Sequence, residues 1–306
     1  MSGMFRQIAC LGCGNVGRSW GLTFARAGCE VTLWDVSTQN AQKAREFILS
    51  EVPGASVVIE QELETAVLEA EYIQESIAEQ PTIKRELFTK LDSLAPAGAT
   101  IASSTSAIPA SILFPDMAGR NRCLIVHPVN PPHLIPLVEL SPAEFTSPQI
   151  IASTTEFMKE IGQSPILLKK EVEGFILNRL QWALLGEALH LVGEGYCEAE
   201  DIDLAMTHGL ARRWAFLGPF AVGHLNASDG IGGYFDGLED AMDRVRSSLH
   251  ADYKPSKELK AKLQEVMSEG VPVGAIAANQ MARDAIIAKL NRFLDELDRT
   301  GLDTSS

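Results

Sequence analysis

The chain is short of cysteine, has no basic cluster and has no apolar run of membrane length, and each shortage removes a class of protein. Its five cysteines, Cys10, Cys13, Cys29, Cys123 and Cys197, suit a reducing compartment better than a disulfide framework. Cys10 and Cys13 form CxxC without a second cysteine or histidine pair nearby, so they read as packing residues and not as a zinc or redox site. With a net charge of -14 and no lysine or arginine stripe, a nucleic-acid surface is excluded and an anionic membrane is no natural partner. Met1 to Gln7 carries no basic segment leading into an apolar signal core, which makes a cytoplasmic location the expectation. Internal repeats and low-complexity segments are also missing. What is present is a globular composition, 46% hydrophobic and 22% charged, over 306 residues, enough for two domains.

The most specific stretch is Ile8 to Asp35, IACLGCGNVGRSWGLTFARAGCEVTLWD. An apolar run leads into Gly12, Gly14 and Gly17 in the spacing GxGxxG, a helical pattern follows, and a second apolar strand ends on Asp35. Gly12 permits the turn out of the strand, Gly14 lets backbone approach a pyrophosphate, and Gly17 lets the helix pack close to the sheet. The first helical residues, Asn15 and Val16, present free amides and the positive end of the helix dipole to the phosphates. Asp35 accepts hydrogen bonds from the adenosine ribose hydroxyls. A 2'-phosphate at roughly 4 Å from it would meet about 4 kcal/mol of repulsion at an effective dielectric near 20. No arginine follows in Val36 to Asn40 to relieve this, so NAD is favoured over NADP, with FAD the lesser alternative.

Strand and helix patterns alternate from Ile8 to Leu168, which predicts an α/β domain built on a doubly wound, mainly parallel Rossmann sheet. From Ile176 the apolar residues Leu180, Ala183, Leu184, Leu191 and Val192 take the helical period, and helix patterns recur at Glu198 to His208, Pro219 to Asn226, Ser256 to Glu269 and Ala275 to Arg299. The prediction is an NAD-binding domain over 1–171 and an all-helical domain over 172–306, joined near Lys169 to Glu173, with a frayed tail at Asp303 to Ser306.

A second informative stretch is CLIVHPVNPPHLIPLVEL, from Cys123 to Leu140. One strand delivers His127 into a proline-rich turn and the next carries Glu139. Strand ends at the carboxyl edge of a doubly wound sheet are where ligands bind. A histidine there is a natural base for oxidising an alcohol, and Glu139 could fix its tautomer and stabilise the imidazolium. The alternative is a hydrogen-bonded structural histidine before a turn.

VHPVNPP with PLVEL, GFILNRL at Gly174 to Leu180 and SSTS at Ser103 to Ser106 resemble the 3-hydroxyacyl-CoA dehydrogenase superfamily, in order and over nearly the whole chain. HPVNPP, IPLVEL, LNRLQ and GLARRWAFLGPF followed by HLNA resemble its lambda-crystallin and L-gulonate 3-dehydrogenase branch. The resemblance implies His127 as catalytic base with Glu139 as its partner. It also implies Ser106 as the serine bonded to the substrate hydroxyl, and Asn178 as a residue holding substrate and histidine. Glu79 and Lys84 match the stretch lining the nicotinamide-ribose side of the cofactor site, or else a solvated helix start. Ser104 stands where the family has an asparagine.

Fatty-acyl-CoA members of the family carry a long helical hairpin after the second strand, whereas only Val36 to Glu71 separates Asp35 from the next clear strand here. This shortening implies a small free L-3-hydroxy acid, L-gulonate foremost, with L-3-hydroxybutyrate or its CoA ester as alternatives. Arg213 matches the arginine best placed to pair the substrate carboxylate, or else forms a surface or interface salt bridge beside Arg212. Trp214 and Phe216 are core residues or an aromatic cage for the quaternary ammonium of L-carnitine. A rival from another class is a NAD-binding structural protein without catalysis. Family members pair through the helical domain, which implies a homodimer.

Overall fold

The computed structural model describes residues 5–299; residues 1–4 of the start and the expected tail at Asp303 to Ser306 lie outside them. The chain divides into two compact units between Arg179 and Leu180, later than the junction read near Lys169 to Glu173.

In the first unit, strands β1 (Gln7–Leu11), β2 (Glu30–Trp34), β3 (Val57–Ile59), β4 (Tyr72–Glu75), β5 (Thr100–Ser103), β6 (Cys123–Pro128), β7 (Leu137–Ser141) and β8 (Ser164–Leu167) form one sheet. Their order is β3-β2-β1-β4-β5-β6-β7-β8. Every pairing is parallel except β6 with β7. The chain winds outward from β1 to β3 and returns to β4 on the other side of β1, which opens a crevice at the carboxyl ends of β1 and β4. Helices α1 (Asn15–Arg26), α2 (Thr38–Glu51), α3 (Leu63–Val67), α4 (Pro81–Leu94), α5 (Ala110–Leu113) and α6 (Pro148–Glu160) make the crossovers and connections. Ser37 and Ser147 cap α2 and α6 by accepting the Asn40 and Ile150 amides, and prolines open α4 and α6 where no amide is needed.

Strand alternation sorts the core into two layers. Ile8, Cys10, Val31 and Leu33 face one side, with Trp20, Phe24, Tyr72 and Phe157, while Ala9, Leu11, Ile101 and Ile125 face the other, with Phe88 and Phe114. Trp20 stacks on Phe24 at 5.3 Å and Phe24 on Phe157 at 5.7 Å, and Phe88 meets Phe114 edge-on at 4.6 Å. Each such enclosed side chain stabilises the sheet and its helices by about 1.5–3 kcal/mol relative to exposure.

Among its described residues the second unit contains most of α7 (Leu177–Gly193) and then helices without a strand. The helix read over Glu198 to His208 is α8 (Ala199–Leu204) followed by a π-helical turn over Ala205–Leu210, and α9 (Ala211–Trp214), which carries Arg213, continues from it. α10 (Pro219–Leu225), α12 (Lys257–Gly270) and α13 (Ile276–Arg299) follow the expected pattern, whereas α11 (Gly230–Arg246) was not expected. A Cβ on Gly186 of α7 would lie 1.9 Å from the Ala251 carbonyl oxygen, so only glycine admits that close approach. The apolar face read along α7 is uncovered at Leu180 and Leu184, which are 64% and 41% exposed.

Candidate active site

The glycine loop is built as its spacing requires. Gly12 has a φ of +90°, and a Cβ there would sit 2.6 Å from the Ser76 carbonyl oxygen; one on Gly17 would reach the Gly12 carbonyl at 1.7 Å. Gly14 caps α1 and faces open space, so the backbone there can approach a ligand, while Asn15 and Val16 begin the helix with amides that no helical carbonyl can reach. Asp35 directly follows β2 and lies beside this loop. Its two carboxylate oxygens accept the Cys13 amide at 2.6 Å and the Ser37 amide at 2.8 Å, which ties the acid to the loop and leaves lone pairs for ribose hydroxyls. A cleft of about 860 Å³ is lined by Gly12, Gly14, Asp35, Ser76 and Ile77. Glu62, Glu64 and Glu86 line it with a single lysine, Lys90, so carboxylates that the sequence did not single out reinforce the bias against a 2'-phosphate. These residues fit a dinucleotide.

The cysteines beside this loop are packing groups. Cys10 and Cys13 are buried, and burial with the nearby Asp35 carboxylate pushes the Cys13 thiol up to about 12. No group of three or more metal-ligating side chains is placed to hold an ion among the described residues.

His127 and Glu139 face each other across the antiparallel β6–β7 pair, directly in register. His127 Nδ1 and Glu139 Oε2 are 2.7 Å apart, and Glu139 Oε1 accepts the Ile176 and Leu177 amides at 2.8 and 2.9 Å. Burial pushes the Glu139 carboxyl up, but the bonds from His127, Leu177 and Ile176 outweigh it and hold the group below the ordinary carboxylate range. An ionised carboxylate only accepts, so Nδ1 carries the hydrogen and the lone pair lies on Nε2, the atom that can take a proton.

Sequence reasoning missed the turn that makes this possible. Gly174 and Phe175 have φ of 76° and 53°, and this left-handed pair aims the next two amides at Glu139. Positive φ at a buried phenylalanine is a strained choice, and its ring packs 5.3 Å from the His127 ring. Gly174, at the head of the GFILNRL stretch, was the available signal.

Ser106, in the loop between β5 and α5, is exposed, and Asn178 Nδ2 donates to its carbonyl at 2.7 Å. Ser104 Oγ accepts from Gln74 Nε2 at 2.7 Å and lies 2.9 Å from Ser76 Oγ, so Ser104 belongs to a side-chain hydrogen-bond network. Glu79 is 45% exposed on the same edge, whereas the Lys84 side chain is only 1% exposed. Its ammonium lies 2.6 Å from Glu75 and 3.2 Å from Glu79, which leaves it no surface to offer a ribose. Arg213 lies in the helical unit and is exposed; Trp214 and Phe216 beside it are 40% and 44% exposed, short of core burial.

A glycine-loop cradle beside an imidazole–carboxylate pair on a doubly wound sheet defines a nicotinamide-dependent dehydrogenase. The model of the 3-hydroxyacyl-CoA dehydrogenase NAD-binding domain matches residues 7–172, and that of the C-terminal domain matches residues 174–270. The chain belongs to the 3-hydroxyacyl-CoA dehydrogenase family. It is 37% identical to lambda-crystallin of Oryctolagus cuniculus over 94% of this chain and 96% of that one, and 36% identical to L-carnitine dehydrogenase of Streptomyces coelicolor over 87% and 86%. Among solved structures, a 3-hydroxyacyl-CoA dehydrogenase of Archaeoglobus fulgidus is 27% identical with a TM-score of 0.68, covering 94% of this chain and 98% of that one. The protein is an NAD-dependent hydroxy acid dehydrogenase, and NAD, when bound, supplies the hydride acceptor.

Proposed function

We propose that the chain oxidises the C3 hydroxyl of a small free L-3-hydroxy acid, L-gulonate foremost, to the 3-keto acid, here 3-dehydro-L-gulonate. His127 Nε2 takes the hydroxyl proton, Glu139 stabilises the resulting imidazolium, and Ser106 Oγ holds the substrate oxygen. Asn178 supports Ser106, and Arg213 pairs with the substrate carboxylate. The carrying observation is the span between β2 and β4. It holds only the 14-residue α2, the three-residue β3 and the five-residue α3, so no long hairpin is present to serve a CoA moiety.

L-carnitine is the second reading, supported by the half-exposed Trp214 and Phe216 rings, which suit a quaternary ammonium. Steady-state NADH production on L-gulonate, L-carnitine, L-3-hydroxybutyrate and 3-hydroxybutyryl-CoA tests both. The expected result is a kcat/KM for L-gulonate at least about tenfold above the others, equivalent to about 1.4 kcal/mol. A preference for L-carnitine or the CoA ester overturns the substrate, and a flat panel with tight NAD binding favours a NAD-binding structural protein.

The helical unit is proposed to pair with a second copy of the chain. Support comes from Trp182, Phe220 and Met281, large apolar side chains that are 62%, 77% and 75% exposed. A cytoplasmic setting accords with five unpaired cysteines, and no described helix is long and apolar enough to cross a membrane.

A further inference from the structure

Glu75 at the end of β4 is fully buried, an expensive place for a carboxylate. Its Oε1 accepts from Lys84 Nζ at 2.6 Å and from the Ile77 amide at 2.7 Å, and its Oε2 accepts from Ser103 Oγ at 2.5 Å. Buried ion pairs are a poor source of stability, since well-packed apolar residues of similar volume often do as well. This pair has a further contact that an apolar one would lack. Lys84 Nζ also lies 3.2 Å from Glu79 Oε2, so the enclosed ammonium holds the Glu79 carboxylate at the sheet edge.

The other oxygen of Glu79 is turned on the substrate-serine loop. Glu79 Oε1 accepts from Thr105 Oγ1 at 2.5 Å and from the Ser106 amide at 2.9 Å. From the other side Asn178 Nδ2 donates to the Ser106 carbonyl at 2.7 Å. Both polar ends of this exposed residue's backbone are therefore gripped, which fixes the point from which its hydroxyl projects. A buried base, Glu75 with Lys84, supports one of the two grips.

We propose that Glu79 is a positioning residue that sets Ser106 through its backbone amide, with Lys84 and Glu75 as its buried support, and that it acts on turnover and not on NAD affinity. This deepens the proposed function, because it rests on Ser106 as the residue that holds the substrate hydroxyl. Misplacing a group by about 1 Å can cost on the order of a hundredfold in rate.

The test uses the full chain with Glu79→Ala and Glu79→Gln, read by NAD titration calorimetry, by kinetics on the most active acid of the panel, and by hydrogen exchange across 103–108. In Glu79→Ala, kcat is expected to fall about tenfold to a hundredfold while the Kd for NAD stays within about threefold, and the Ser106 amide exchanges faster. Glu79→Gln retains an acceptor for that amide and is expected to lie nearer the wild type. A Kd for NAD raised by about tenfold or more overturns the proposal and makes Glu79 a ribose ligand. Unchanged kcat, or unchanged exchange at Ser106, overturns it as well. If no acid on the panel turns over, the substrate reading fails by itself, and exchange with NAD titration still decides whether Glu79 positions Ser106.

Discussion

The two units bury their side chains in opposite ways. In the sheet unit Trp20, Phe24, Tyr72, Phe88, Phe114 and Phe157 are all at most 2% exposed, and the enclosed polar groups Glu75, Lys84, His127 and Glu139 are bonded to one another or to backbone. In the helical unit only Val192 and Leu259 are buried apolar residues among those described, while Trp182, Phe220 and Met281 stand open. A sheet with helices on both faces completes its own core, whereas helices with more apolar surface than neighbours depend on association. The sheet unit thus fixes the side chains to which cofactor binding and proton transfer are assigned in the proposed function. The helical unit's open apolar side chains accord with the pairing proposed for it.

The comparison breaks if the chemistry does not reside in the sheet unit. Loss of a general base costs on the order of a hundredfold to ten-thousandfold, so His127→Ala is expected to lower kcat by that factor and leave NAD binding unchanged. Near-wild-type turnover would remove His127 as the base. Glu139→Gln comes next, with a fall in kcat of about a hundredfold expected from the lost orientation and imidazolium stabilisation. This substitution also tests stability against pH. The Glu139 carboxyl is lowered in the folded chain, so its contribution is full above the ordinary carboxylate range and is lost as pH falls through the folded value. Urea titrations of the two proteins should differ most near neutral pH, begin to converge as pH falls below the ordinary carboxylate range, and meet only below the lowered folded value. A difference that grows in acid would contradict the observed hydrogen bonding.

How far the sequence could be read depended on whether a residue's task was local. Gly12, Gly17 and Asp35 each act within the strand–turn–helix unit that contains them, and their spacing was sufficient. His127 and Glu139 were readable because consecutive strands commonly pair, here in direct register. Lys84 was not, since its partner Glu75 sits at a strand end whose burial depends on the whole sheet. Phe175 adopts a backbone conformation that glycine would ordinarily supply, which composition cannot announce. Helix α11 was hidden by Gly232, Gly233 and Gly237, each of which weakens a helix interior by about 1 kcal/mol relative to alanine.

Pairing is the prediction that addresses the helical unit's open faces. Phe220→Asp and Met281→Asp place a carboxylate on the most exposed apolar positions, and each is expected to weaken self-association at least about tenfold if its position lies in the buried centre of an interface. Sedimentation velocity at micromolar concentration reads this directly. A wild-type monomer under those conditions would mean that exposure in this unit has another cause, and the contrast between the units would lose its explanation.

The smallest expected effect separates substrate recognition from chemistry. Arg213 lies in α9 directly after the π-helical turn, an irregularity often found at functional sites, and its guanidinium can pair both oxygens of a carboxylate. If it binds the free acid, Arg213→Ala should raise KM for that acid by about tenfold, as expected for loss of a charge-assisted bond worth roughly 1.5–3 kcal/mol, with kcat nearly unchanged. The neutral methyl ester presents no charge to the guanidinium, so its KM should hardly move. Equal losses on acid and ester would assign Arg213 to the fold or to pairing, and a fall in kcat without a change in KM would place it in the chemical step. Only a selective rise in KM for the charged substrate keeps catalysis in the sheet unit and recognition in the helical one.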